Sequence, residues 1–212
     1  MGRLPRDVKA AMAAPTVLTL ALAGALVFDS GSYAGRIFDD VMLLGLSVYA
    51  TAYAVFAARF AEGRFRRAWM TMAVALGSWA LGDAIWLACD LTRTSIQPLS
   101  TADVSYLLFA GLAAAAMAQF PTDSTQHLRL RLVLDALIVA LSLFLLAWML
   151  SLHNVFDTYR GDKATLTVAV LYPVLDLVAL TVAIAVLART RARERAVVSL
   201  LTLALALATV AD

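Results

Sequence analysis

Apolar and polar positions come in blocks along this chain rather than in alternation. Seven apolar blocks, at roughly 12–29, 38–60, 68–90, 102–120, 132–153, 165–188 and 196–212, are separated by short polar stretches. At a rise of about 1.5 Å per residue, a block of about 20 residues crosses a hydrocarbon layer of roughly 30 Å. The blocks therefore predict an all-α fold: a polytopic transmembrane bundle of about seven helices. The connections, Ser30–Ile37, Ala61–Arg67, Leu91–Thr101, Pro121–Arg131, Asn154–Ala164 and Arg189–Arg195, are short enough to favour antiparallel neighbours. The first block follows Arg3, Arg6 and Lys9, the pattern of a signal peptide, but no A-x-A cleavage site follows it.

Composition agrees with the blocks. The 212 residues are 62% hydrophobic with a mean hydropathy of +0.83, whereas a soluble domain is about half apolar. The net charge of +2 says little by itself; its placement sets the orientation. With the N-terminus inside, the inner segments hold Arg3, Arg6, Lys9, Arg59, Arg64, Arg66, Arg67, Arg129, Arg131, Arg189, Arg191, Arg193 and Arg195, and the outer loops only Arg36, Arg93, Arg160 and Lys163. This excess predicts a cytoplasmic N-terminus, and the bias to Arg and Ala suggests a bacterial source and so the bacterial cytoplasmic membrane. Orientation accounts for the basic clusters, so no nucleic-acid partner is expected; the expected surroundings are the lipid bilayer and its anionic head groups. The last block stops at Asp212 without a polar tail, which suggests a natural chain that is longer at its C-terminus.

Ionisable groups at membrane depth are functional candidates by default. Asp83 lies 16 residues beyond Arg67, in the outer half of its span, with Trp79 and Trp86 at i−4 and i+3 on one helical face. Asp103 and Tyr106, three apart, open the fourth span. Tyr172 and Asp176, four apart, share a face in the sixth, and Asp212 ends the seventh. These acids predict an acidic, aromatic-lined pocket for an unidentified small ligand, cation or proton, with Trp79, Asp83, Trp86, Asp103, Tyr106, Tyr172 and Asp176 as its residues. The alternative is that each acid only hydrogen-bonds to a neighbouring helix; retaining several at similar depth favours a site. Pro173 removes a backbone donor and is a candidate hinge.

Other features are accounted for without a site. Ser78, Gly82 and the run Ala113–Ala116 read as close helix packing. Asp135 sits at a helix start, where an acid complements the dipole. Cys89 is the lone cysteine, so no intrachain disulfide forms. His127 and His153 fall near helix ends. There is no phosphate loop, no H-E-x-x-H, no C-x-x-C and no catalytic set, so no metal, no catalytic residue and no enzyme activity is expected of this chain, and its cofactor is unknown.

Four elements in series resemble a known family. They are Trp79-Ala80-Leu81-Gly82-Asp83-Ala84-Ile85-Trp86, Pro98-Leu99-Ser100-Thr101-Ala102-Asp103-Val104-Ser105-Tyr106, Asp135-Ala136-Leu137-Ile138 and Tyr172-Pro173-Val174-Leu175-Asp176-Leu177. The ending Ala211-Asp212 resembles the start of a further A-D-x-x-Y element. In this order, over residues 70 to 212, they resemble the N-terminal multi-pass membrane region of actinobacterial signalling proteins that carry GGDEF and EAL domains. The chain departs from the pattern at Phe109-Ala110-Gly111, where an aromatic residue followed by Pro is expected, and it holds no GGDEF or EAL sequence. The resemblance implies a sensory input domain, a homodimer by analogy, and control of cyclic di-GMP turnover by domains beyond Asp212, the only place for a diguanylate cyclase or phosphodiesterase. A small cation- or proton-coupled transporter or channel, and a structural subunit of a membrane complex, are the alternatives.

Overall fold

The computed structural model describes residues 33–94, 100–120, 163–190 and 194–211, and the single positions 138, 142, 145 and 149. The expected spans at 12–29 and, those four positions apart, 132–153 lie outside the described residues, as do Asp135, His127, His153 and Asp212. Five helices are described: α1, Tyr33–Phe60; α2, Gly63–Thr92; α3, Thr101–Gln119; α4, Lys163–Leu187; and α5, Arg195–Ala211. The first four are long and apolar enough to cross a membrane, and α5, with 17 residues, is shorter. Among the described residues there is no strand.

Helix ends differ from the hydropathy blocks where tertiary contacts extend them. Helix α1 is already helical at Tyr33, ahead of the block's start near 38. The Tyr33 hydroxyl donates to the Asp90 carbonyl at 3.2 Å, and the Arg93 guanidinium lies 4.9 Å over the Tyr33 ring. This tie to the end of α2 gives the first turn of α1 partners that hydropathy does not register. The connection from α1 to α2 shrinks to Ala61 and Glu62, followed by Gly63 at φ +57°, where a Cβ would be strained. Arg64, Arg66 and Arg67 are therefore helical, in the first turns of α2, and not in a loop.

Helix α2 closes on Arg93 at φ 53°, with Arg93 N–H donating to the Asp90 carbonyl and Thr94 N–H to the Cys89 carbonyl, at 3.2 and 3.0 Å. These are the two bonds of a Schellman closure, made with Arg where Gly is usual. The stacking of Arg93 on Tyr33 offsets the cost of its left-handed backbone. Helix α3 starts with a complete capping box. Asp103 N–H donates to Ser100 Oγ at 3.3 Å, and Ser100 N–H donates to Asp103 Oδ2 at 2.9 Å.

Each described helix packs on the next in chain order. Helices α2 and α3 run antiparallel: Thr71 meets Gln119 at one end and Asp83 meets Tyr106 towards the other. Helices α3 and α4 run the same way. Tyr172, in the first half of α4, joins Asp103 at the start of α3, whereas Ala183 and Val186 share the core with Met117 and Phe120. That core rests on small residues: Ala68, Ala75, Ala113, Ala116 and Ala183 are fully buried, which lets the backbones approach. Phe120 fills the space between them, edge-on to Phe65 and Trp69 at 5.9 and 5.8 Å.

The outer faces are apolar. Phe56, Phe60, Val74, Leu81, Leu108, Leu200 and Leu207 are all more than half exposed. A surface of this kind suits lipid and not water, and the chain is a helical membrane protein. Its two ends differ in charge. Arg59, Arg64, Arg66 and Arg67 flank the α1–α2 turn, and Arg189 and Arg195 flank the α4–α5 turn at the same end. Asp39, Asp40, Asp83, Asp90 and Asp103 lie towards the opposite end, together with Arg36 and Arg93.

The capping box makes a specific demand. Ser100→Ala removes the hydroxyl that accepts from Asp103 N–H and should cost about 1 kcal/mol. Cys89, half-buried and the sole thiol, reports unfolding when titrated with a thiol-reactive dye in detergent on heating. The midpoint should fall in the variant; an unchanged midpoint would mean that the cap does not hold the start of α3.

Candidate functional site

The tryptophan–glycine–aspartate stretch of α2 meets the first turns of α3. Tyr106 Oη donates to Asp83 Oδ1 at 2.9 Å. The Tyr106 ring crosses α2 directly over Gly82: a Cβ built there would lie 2.6 Å from Tyr106 Cε1 and 2.7 Å from Cζ. Glycine at 82 is thus what allows the phenol to reach Asp83. Trp79 holds the ring from the side, edge-on at 5.7 Å, and is itself edge-on to Phe109 at 4.5 Å.

Asp83 is 7% exposed. Its second oxygen, Oδ2, is buried and takes no hydrogen bond among the described residues. Ser47 and Trp79 stand beside the carboxyl, but the Ser47 hydroxyl has one proton and donates it to the Leu44 carbonyl at 3.1 Å. An unmet acceptor in so buried a place is costly unless something else fills it. Asp83 faces a cavity of about 230 Å³, lined by Asp40, Leu43, Asp83, Trp86 and Tyr106. No lysine or arginine is among the lining residues, and the cavity presents two carboxyls and two aromatic rings.

Asp103 is engaged differently. Its Oδ2 accepts from Ser100 N–H and, at 3.0 Å, from Ser100 Oγ, and its Oδ1 accepts from Tyr172 Oη at 2.9 Å. Both oxygens are used, one to start α3 and one to fasten α4. Tyr106 and Asp103, one turn apart on α3, thus bond to different helices, Tyr106 to α2 and Asp103 to α4, and the Tyr172 phenol that reaches Asp103 also stands near Tyr106. Asp176 is buried, 8% exposed on α4, and does not line the cavity. Pro173 sits inside α4, which continues helical through it.

Of the candidates, the structure brings Asp83, Trp86 and Tyr106 to one cavity, places Trp79 against Tyr106, and joins Tyr172 to Asp103 next to them. Sequence reasoning passed over Asp40, Leu43 and Ser47. These lie at i, i+3 and i+7 and so on one face of α1. The Asp40 carboxyl also approaches that of Asp90. An acid one turn into an apolar segment, with Ser a further two turns on, was the available signal. Among the described residues no group of His, Cys, Asp and Glu is arranged to hold a metal ion.

Comparisons with protein-family models, with curated proteins and with solved structures each return no match. The functional reading therefore rests on the residues and their geometry.

Gly82→Ala isolates the geometry. Alanine favours a helix by about 1 kcal/mol over glycine, but its methyl would push aside a ring pinned by Trp79 and by its own hydroxyl bond. Overpacking of this kind costs about 1–3 kcal/mol, so the net effect should be destabilising. Melting followed at Cys89 should show a lower midpoint; a higher one would mean that Tyr106 moves freely and that its bond to Asp83 is weak.

Proposed function

We propose that this chain is the membrane-embedded input region of a bacterial sensory or regulatory protein. In this reading seven spans cross the cytoplasmic membrane with the N-terminus inside, and the Asp83 cavity receives a cationic or protonatable ligand from the outer half. Occupation of the cavity shifts α1 and α3 against α2, and the shift passes to a cytoplasmic output. The order of the W-x-x-G-D-x-x-W, P-x-S-x-A-D-x-x-Y and Y-P-x-x-D-L elements favours cyclic di-GMP turnover as that output, in domains beyond Asp212.

The observation that carries the reading is Asp83 itself. One oxygen is held by Tyr106 and the other stands unmet at the cavity. An ionisable group kept in that state inside a membrane protein is better explained by a ligand than by packing alone. Two further observations support the topology. The parallel run of α3 and α4 is what a further span at 132–153 would produce. The basic end of the bundle, with Arg59, Arg64, Arg66, Arg67, Arg189 and Arg195, suits the cytoplasmic side. Tyr106 is placed to transmit, because it joins the cavity to the turn of α3 that also holds α4 through Asp103.

Asp83→Asn keeps the shape and the acceptor for Tyr106 but removes the charge. In the natural full-length protein it should change cellular cyclic di-GMP several-fold while leaving membrane insertion and the Cys89 melting midpoint near those of the parent. An unchanged cyclic di-GMP level would overturn the sensory reading. Saturable proton or cation flux through the purified chain in liposomes, abolished by the same change, would replace it with a transporter. The reading also requires a native protein heavier than the 22.7 kDa of these residues, which intact mass measures directly.

A further inference from the structure

We infer that the ligand of the Asp83 cavity is a single-chain amphiphile with a permanently cationic headgroup. The inference rests on the sensory-site reading above and names the chemistry of its ligand.

The cavity does not end at Asp83. A second space of about 300 Å³ lies between α1, α2, α3 and α5, lined by Leu43, Leu46, Met72, Leu76, Leu205 and Ala208 among others. Leu43 lines both spaces. Ser47 and Trp79, which stand beside the Asp83 carboxyl, line the second space as well. The two are therefore adjoining parts of one depression, polar at the Asp83 end and apolar beyond it. From Asp83 to Met72 is 11 positions on α2, about 16 Å along the helix at 1.5 Å per residue. The apolar part thus runs from the acidic end towards the middle of the bundle, in the direction that an acyl chain takes when its headgroup sits near the surface.

Each part selects a different portion of the ligand. The polar part offers Asp83 Oδ2, buried and unmet, the Asp40 carboxyl, and the Trp86 and Tyr106 rings. Carboxylates with aromatic faces and no basic residue attract a cation, and a quaternary ammonium in particular. An anionic or phosphate headgroup would meet repulsion from both acids. The apolar part takes a hydrocarbon chain, and its volume is that of one small-ligand pocket, not of two full acyl chains. Trp79 lines the apolar part and packs nearly at right angles to the Tyr106 ring of the polar part, with centroids 5.7 Å apart. A free cation would leave the groove unused, and an ordinary acyl chain would leave Asp83 unmet; an alkylammonium satisfies both.

The test uses the full chain in nanodiscs of zwitterionic lipid, titrated with dodecyltrimethylammonium and, separately, with tetramethylammonium, while tryptophan fluorescence is read. Dodecyltrimethylammonium should bind saturably and at least tenfold more tightly than tetramethylammonium, beyond its partition into protein-free nanodiscs. Asp83→Asn should weaken both ligands, and Asp40→Asn should do so to a lesser degree. Leu205→Trp, which fills the groove, should erase the advantage of the long chain while leaving tetramethylammonium binding as it was. Equal binding of the two cations, unaffected by Leu205→Trp, would overturn the amphiphile inference and leave a headgroup-only site, with the groove filled by bilayer lipid or by another segment of the chain. Absence of saturable binding by either cation, in a protein that melts normally at Cys89, would remove the cationic site itself.

Discussion

A polar side chain inside a bilayer must find its partner within the protein, because no water is there to replace one. Two tyrosine–aspartate hydrogen bonds meet this constraint, and the arrangement of the helices depends on them. Tyr106 reaches from α3 to Asp83 on α2, and Tyr172 reaches from α4 to Asp103 on α3. Asp103 and Tyr106 lie one turn apart, so the start of α3 is fastened on both sides. The same short stretch is capped by Ser100 through the Asp103 carboxyl. One carboxyl thus starts a helix and ties it to another, and a phenol a turn later completes the join to α2.

These bonds need backbones that come close, and the small residues supply that. Gly82 admits the Tyr106 ring where no Cβ fits, and Ala102, just before Asp103, is fully buried. The alanines at 68, 75, 113 and 116 extend the close approach towards the other end, where Phe120 fills the gap between α2 and α3. Many of the large apolar side chains, Phe56, Phe60, Leu200 and Leu207 among them, are turned outward to lipid. That suits a hydrocarbon solvent, in which there is no hydrophobic driving force between helices.

How much of this was legible depended on the distance over which each interaction acts. The spans at 38–60, 68–90, 102–120, 165–188 and 196–212 coincide closely with the described helices, because crossing a hydrocarbon layer imposes its own length on each segment. The face shared by Trp79, Asp83 and Trp86 was legible for a similar reason: helical periodicity is local. Pairings between helices were not. Nothing in the sequence tells that Tyr172 reaches Asp103 on another helix, or that Asp40 shares a cavity with Asp83. Those facts depend on which helices are adjacent and how each is rotated. The early start of α1 belongs to the same class, since Tyr33 is helical because of Asp90 and Arg93 on another helix.

The same accounting separates the acids by role. Asp103 has three donors, and both of its oxygens are engaged in fastening α3 and α4. Asp83 has one strong donor and one oxygen without. Tyr106 cannot supply a second bond, and the Ser47 proton goes to its own helix. If Asp83 were purely structural, a second donor on α1, such as a longer polar side chain at position 47, would complete it at little cost. What stands there is a serine turned to its backbone, an acid one face-turn away at Asp40, and a cavity between them. A second acid beside an unmet acceptor makes the arrangement worse as packing and better as a receptor for positive charge. The lining of the cavity points the same way, because no lysine or arginine stands in it to neutralise the pair.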